Sequence, residues 1–535
     1  MSVMVRTRLG LAFLLLLGAN AWCAKPFFNV LDYGARNDGS ASATEAFRAA
    51  IQAAKAAGGG TVYVPAGNYV TGPIELVSNL ELYLEAGAVV RFPATRLPFT
   101  KGRVQGIECL TPVPLIGGRN LENVTLAGRG VLTTDTDAWL KLMPREKASA
   151  AGPGTVFGPN WEKLLHDLEV KTPAPEAEYE KVAPELRPSF FRVMDSKNIL
   201  VEGVHFIGSP MWTVHLLYSD NIVVRDVIIE TYPGVHNDGI AVDSSRNVRI
   251  SDCYIDTGDD GIVLKSGKDA DGRRVNRPTE NVSITNCTVR HAHGAVAIGS
   301  ETAGGIRNVV ASNITCRDTH IGMRLKSRRG RGGFVEDVRF ENWTMEDVVE
   351  GIVLTTYYMM EGEVPATDTS LSERTPVFRN IAVSNMTING ARLAIDLEGL
   401  PEMPLSGVRI TDVTASGTRG MFAADTVGLE LHHVQVNAEQ GPAFMIRDSQ
   451  DLELDGVSTS KPIPGLPVVR LDRCPGAIMR ASRAFPGTGT FLSVGPGELK
   501  SIVMEGNALS AARKPSEEIA ADPQKFSVPE RELEP

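Results

Sequence analysis

NIVVRDVIIE at residues 221–230, NVRISDCYID at 247–256 and NVSITNCTVR at 281–290 are one phrase written three times in succession. It stands earlier as NILVEGVHFIG from Asn198, and later as NVVASNITCR from Asn308, DVRFENWTME from Asp337, NIAVSNMTIN from Asn380, GVRITDVTAS from Gly407 and DLELDGVSTS from Asp451. Self-similarity at intervals of about 21 to 34 residues over most of this run marks a chain built from stacked units. Each phrase holds two short runs that alternate apolar and polar residues, the period of a strand with one buried face. Between the runs sits Gly203, Asp226, Asp252, Asn286, Asn313, Asn342, Asn385 or Asp412. Glycine, asparagine and aspartate tolerate the left-handed backbone, so each unit reads as strand, sharp bend, strand. Stacking such coils pairs equivalent strands and lines the interior with apolar ladders, which makes the fold class all-β, a parallel β-solenoid. A doubly wound α/β fold would need a helix-length amphipathic segment between strands, and most gaps are too short or too glycine-rich for one.

Outside the repeat, TEAFRAAIQAAKAAGGG from Thr44 is expected to form a helix that starts at a cap, ends in glycines and covers the open first coil. Residues 135–186 interrupt the repeat with prolines and charges and are read as an excursion from a repeat domain spanning 25–507. Residues 508–535 are read as a C-terminal extension. Arg6 and Arg8, an apolar run from Leu9 to Leu17 and Ala19-Asn20-Ala21 read as a signal peptide over 1–21, with cleavage as late as 24. That predicts a secreted or periplasmic protein. No later segment reaches the roughly 20 apolar residues of a membrane-spanning helix. Cys253 and Cys287 sit at equivalent offsets and are expected to stack as small buried hydrophobes, while Cys109 and Cys474 are open to pairing in an oxidising compartment.

The 535 residues, 43% apolar and 22% charged, describe a folded chain rather than a disordered one. A net charge of −10 argues against nucleic acid as the main partner.

Acidic residues gather in HNDGIAVDSS around Asp238 and in DTGDDGIVLKSG around Asp259 and Asp260. One repeat separates the two blocks, so a solenoid places Asp238 and Asp260 at the same position on adjacent coils, about 5 Å apart along the axis. Carboxylates that close raise at least one proton affinity, which suits a general acid, while a neighbour that stays ionised suits a base. HAHGAVAIGSE adds His293 about one coil later, and GMRLKSRRGRGG adds Arg324 and Lys326 about two coils later. The last two alternate with Leu325, so on a strand they face one way, ready to receive an anion. Singly, each feature has an ordinary explanation. An aspartate in a solenoid is more often a bend residue, as Asp252 and Asp412 are read here, and His215 or His320 alone is more often packed or surface. The charge run Lys326–Arg331 would ordinarily be a solvated face. Three acids, a histidine and a basic pair recurring at coil spacing in four successive units are not required by structure.

These blocks, His236-Asn237-Asp238, Gly258-Asp259-Asp260, His291-Ala292-His293-Gly294 and Arg324-Leu325-Lys326, resemble the N-T-D, G-D-D, G-H-G and R-I-K signatures of glycoside hydrolase family 28, the polygalacturonase family. FNVLDYGARNDG, TVYVPAGNYVTGP, RPSFF and GSPMWTVH extend the resemblance over roughly residues 27 to 360. It implies a single-stranded right-handed parallel β-helix of the pectin-lyase type carrying the catalytic domain. It also implies inverting hydrolysis of α-linked galacturonic acid in pectic polysaccharide or oligosaccharides. Residue by residue, the resemblance makes Asp259 the general acid, Asp238 and Asp260 the pair that activates water, and His293 the support of the acid. It makes Arg324 and Lys326 the hold on a galacturonate carboxylate, with His236, Asn237 and Tyr358 as further substrate contacts. It implies no metal or cofactor, a pectic poly- or oligosaccharide as the one partner, and a single chain as the working unit. His236 stands where the family has asparagine and Ala292 where it has glycine, so contacts around the cleaved sugar are expected to differ. IGSETAGG resembles members that act from chain ends, and the 135–186 excursion is positioned to close one end of a groove. The alternatives are a rhamnogalacturonan or substituted-pectin hydrolase of the same family, a β-helix pectate lyase that uses calcium, and a non-catalytic carbohydrate-binding solenoid.

Overall fold

The repeat phrase folds as strand, bend, strand: Arg246–Ser251 and Tyr254–Asp256 flank Asp252, whose φ is +58°. All eight bend residues named above take the left-handed conformation, with φ between +53° and +75°. Each coil also has a third strand that the alternation does not reveal, represented by Ile240–Asp243, Ile262–Lys265, Gly294–Ile298 and Ile321–Lys326. Every residue of these four strands is buried. A strand covered on both faces reads as a continuous run rather than an alternating one, which hides it from a period-two search.

In this computed structural model, which describes residues 26–142, 160–161, 163–164, 176–182, 185–359 and 367–520, the coils stack through parallel pairing into one large sheet. Val248 pairs with Val282, and the column continues through Val309, Val338, Ile381 and Val408. All six side chains are buried, each worth about 1.5–3 kcal/mol of transfer free energy. A single hydrophobic core therefore runs the length of the stack.

The helix Thr44–Ala56 turns Ala46, Phe47, Ala50, Ile51 and Ala54 onto the first coil. Its N-cap is Ala43, which makes no side-chain bond, and the Thr44 hydroxyl instead accepts the Gly72 N–H at 2.8 Å. The boundary expected at residue 507 falls inside the stack. Lys514–Glu518 pairs in parallel with Thr490–Val494, so the coils continue beyond the point where proline and charge were read as a tail. The signal peptide lies outside the described residues, as do residues 521–535 of the expected extension. Cys253 and Cys287 stack as expected, and Cys109 and Cys474 are both buried free thiols rather than a pair.

One antiparallel element stands apart from the coils. Strands Phe99–Val104 and Ile107–Pro112 form a hairpin whose turn residues Gln105 and Gly106 both have positive φ, the turn that matches strand twist. Among the described residues between Thr134 and Phe191, Trp161, Leu164, Val182 and Leu186 pack with Val104, Ile107 and Cys109 of the hairpin. Together they rest on Ala241, Val263 and Ala297, outward residues of three successive third strands. Hairpin and excursion thus form a wall over one face of the solenoid.

Candidate active site

The three acids sit where loops enter the third strands. Because Ile240 pairs with Ile262, Asp238 and Asp260 are equivalent positions on adjacent coils, and the Gly239 N–H donates to the Asp260 carbonyl at 3.0 Å. The Asp259 loop is locked by Thr257, whose hydroxyl donates to the Asp259 carbonyl at 2.7 Å and accepts the Asp259 N–H at 3.0 Å. Oδ1 of Asp259 accepts the Asp260 N–H at 2.8 Å and lies 3.5 Å from His293 Nδ1. On the following coil Gly294 is the counterpart of Asp260. A Cβ there would stand 3.0 Å from Asp260 Oδ1 and 3.2 Å from Arg324 Cδ, so only glycine leaves both side chains their places.

The cations converge on the acids. Lys326 Nζ donates to Asp260 Oδ2 at 2.9 Å, and Arg324 approaches Asp260 Oδ1 at 3.6 Å. The Tyr358 ring lies under both, 5.2 Å from the Arg324 guanidinium carbon and 5.1 Å from Lys326 Nζ. The sequence-based grouping of Asp238, Asp259, Asp260, His293, Arg324, Lys326 and Tyr358 is thus assembled in one place.

Two expectations are corrected. Asn237 is not a substrate contact: it is fully buried, its amide donates to the Thr231 carbonyl at 2.5 Å, and its oxygen accepts the Gly258 N–H at 3.2 Å. It fastens the Asp238 loop to the Asp259 loop. Ala292 points into the solenoid core, so a methyl in place of hydrogen there leaves the groove unchanged. The run Lys326–Arg331 is no solvated face. Arg331 is fully buried, with Nε donating to Asp269 at 2.9 Å and a terminal nitrogen to the Ser300 carbonyl at 2.8 Å.

Charge is distributed differently from the crowding argument. Burial and the neighbouring Asp259 charge push the Asp238 carboxyl well above the ordinary range, against the pull of Lys265. For Asp259, burial also favours the neutral form, but the hydrogen bond and charge of His293 outweigh it and hold the carboxyl below the ordinary range. The raised proton affinity therefore falls on Asp238 rather than on Asp259. Burial lowers His236 to about 4 despite Asp259, with Arg187 reinforcing the shift.

Several participants escaped the sequence reading. Arg187, the first residue of RPSFF, donates to the Pro210 and Val235 carbonyls at 2.6 and 2.9 Å and stands 3.3 Å from His236 Nδ1, fixing the loop before Asp238. Lys265 lies 3.4 Å from Asp238 Oδ2 and 3.1 Å from Glu301 Oε2. The signal for Lys265 was its place in IVLK: Ile262 and Leu264 face the core, so Val263 and Lys265 face outward. Behind this layer, Asp243 is held by Arg103 of the hairpin at 2.7 Å and by His215 at 3.5 Å. His215 is thus structural, as expected of a lone histidine.

Residues 176–436 match the family model described as Glycosyl hydrolases family 28, and residues 27–91 match one described as Rhamnogalacturonase A/epimerase, pectate lyase-like. The chain is also 33% identical to the solved structure of a hyperthermoactive exopolygalacturonase from Thermotoga maritima. That alignment covers 77% of this chain and 92% of that one, with a TM-score of 0.68. The chain belongs to glycosyl hydrolase family 28. It is a glycosidase with the right-handed parallel β-helix of that family. Over 406 residues, 73% of this chain and 74% of the relative, it is 29% identical to a probable polygalacturonase from Vitis vinifera. It is 26% identical to an exo-poly-alpha-D-galacturonosidase from Dickeya chrysanthemi, over 72% of this chain and 68% of that protein.

Proposed function

We propose that this glycosidase hydrolyses α-linked galacturonic acid in pectic polysaccharide or oligosaccharides, with inversion and from chain ends. The observation that carries the reading is the meeting of three carboxylates and His293 with Arg324 and Lys326 at one edge of the solenoid. Galacturonate is an anion, and the Arg324–Lys326 pair over Tyr358 is a cationic seat for its carboxylate. The family and its exo-acting relatives support the same substrate and cleavage mode.

In the mechanism, Asp259 and His293 act as the proton-donating pair. Asp259 protonates the leaving oxygen, and His293, 3.5 Å from its Oδ1, supports that role. Asp238 and Asp260 activate the water that attacks from the opposite face of the sugar. Oδ2 of Asp238 and Oδ1 of Asp260 accept no hydrogen bond from the described residues, which leaves acceptor capacity for that water. The ammonium and guanidinium groups already facing these acids disfavour a calcium ion among them and weigh against elimination by a lyase.

Exo action is supported by the wall over Ala241, Val263 and Ala297, whose hairpin turn at Gly106 lies against Glu301. Export is proposed on the N-terminal sequence alone. Product analysis on a panel of homogalacturonan, rhamnogalacturonan and substituted pectin tests the whole reading. Short galacturonate products from the first minutes, with slow loss of viscosity, are expected on homogalacturonan. An early ladder of long oligomers would reject exo action, and ultraviolet-absorbing unsaturated ends would reject hydrolysis. Asp259→Asn is expected to fold and to lose about 10²–10⁴-fold in turnover. Near wild-type turnover in that variant would sink the assignment of the acid.

A further inference from the structure

Lys265 is a buried ammonium with anions on two sides and an aromatic ring on a third. Its Nζ lies 3.1 Å from Glu301 Oε2, 3.4 Å from Asp238 Oδ2 and 4.7 Å from the centre of the Trp212 ring. Lys265, Glu301 and Asp238 are each at most 6% exposed, so solvent screens little of this charge. The in-register acid of the preceding coil, Asp243, does not compete strongly for it, because Arg103 and His215 already engage that carboxylate. Glu301 takes the ammonium's only direct side-chain hydrogen bond among the described residues, while Asp238 has the longer ion pair without one. Glu301 is itself placed by the coil: its carbonyl accepts the Ser266 N–H at 2.6 Å, one residue beyond Lys265.

We infer that Lys265 is a positioning residue for Asp238 and that Glu301 sets how much of the Lys265 charge Asp238 receives. The inference rests on the proposed role of Asp238 in activating water, since only an ionised carboxylate can take a proton from that water. Without Lys265, a buried Asp238 beside Asp259 and Asp260 would stay protonated and idle at mildly acidic pH. With Lys265 undivided, it would be ionised and only weakly basic. Glu301 holds it between these limits. The groups that face Asp238 are Asp259, Asp260 and Lys265 on the next coil and Glu301 on the one beyond. His236 stands two residues earlier in its own loop. The burial-depressed His236 is neutral over most of the working range, which leaves Lys265 as the fixed cation of the set.

This arrangement makes two substitutions move one titration in opposite directions. Lys265→Met removes the cation, so Asp238 binds its proton more tightly and the acidic limb of kcat/KM on polygalacturonate moves up by about one pH unit. Glu301→Gln removes both the competitor and a like charge, so the same limb moves down. Lys265→Arg keeps the cation and is expected to leave the limb near its wild-type position. The carboxyl stretch of Asp238, assigned in infrared difference spectra by its loss in Asp238→Asn, is expected to titrate with the same two shifts without any substrate. A uniform loss of rate with neither the limb nor the band displaced would overturn the inference and leave Lys265 a packing residue. If no galacturonan is cleaved while the band still shifts in both directions, the proposed function fails and the Lys265–Glu301 device stands.

Discussion

At the scale of single residues, burial decides which groups titrate and in which direction. His236, lowered to about 4, and His215, lowered by full burial, remain neutral in the folded chain at a pH where an unfolded histidine is charged. Between about pH 6.5 and 4 the unfolded chain therefore binds protons that the folded chain refuses, and stability falls as pH drops through that window. Asp238 has the opposite sign, because its raised affinity contributes stability at low pH that is lost as pH rises. The depressed carboxylates Asp243, Asp269 and Glu301 add their loss only below about pH 4. Melting temperature measured from pH 7 to 4 is expected to decline, and His236→Asn is expected to flatten the decline. An unchanged slope in that variant would place the titration elsewhere. Asp238, Asp259, His293 and Arg324 were legible because their spacing matched the coil. Lys265 and Glu301 were not, since an ion pair across 36 residues depends on which outward positions the wall encloses.

At the scale of elements, the bend and the wall make separate demands on sequence. Asn286 has φ +55°, and its amide donates to Asp252 on the preceding coil at 3.2 Å while its oxygen accepts from Asn313 on the next at 3.0 Å. Asn286→Val is expected to cost at least about 1–2 kcal/mol from left-handed strain alone, and Asn286→Gly less, as read by denaturant midpoints. Equal effects would show that the side-chain ladder, not the backbone, matters there. The wall is a second cluster apart from the solenoid core, anchored by Trp161, whose indole donates to Gln105 at 3.1 Å and whose backbone N–H donates to Glu185 at 2.9 Å. Trp161→Ala is expected to cost the wall about 3–5 kcal/mol while the solenoid core keeps its melting temperature. The checks are faster hydrogen exchange in residues 99–112 and longer early products from homogalacturonan. Unchanged products would mean that the wall does not set the cleavage mode. The bends were readable because Asn, Asp and Gly mark them locally. The wall was not, because its hairpin and Trp161, Leu164, Val182 and Leu186 are far apart in sequence and meet only in the folded chain.

At the scale of the whole molecule, a solenoid is stable only if each end is closed, since every coil contacts little beyond its neighbours. The helix Thr44–Ala56 closes one end, and Lys514–Glu518 adds the last described strand to the column at the other. A chain ending at residue 507 is expected to expose the Thr490–Val494 edge, melt earlier and aggregate on light scattering, because an open strand edge templates pairing. Equal stability and solubility would mean that the column ends at Val494. The sequence by itself determined the solenoid, its bends and the grouping of acids, histidine and basic pair, because a repeat turns distance along the chain into position along one axis. Only the tertiary structure decided the strands buried on both faces, the hairpin that packs with the excursion over three of them, and which of Asp238 and Asp259 binds its proton more tightly. Those depend on burial and on charges brought together from several coils, which no local pattern carries. The three acids lie at adjacent coil positions by sequence, but Asp238 is raised and Asp259 lowered because burial and Asp259 act on the first while His293 reaches the second.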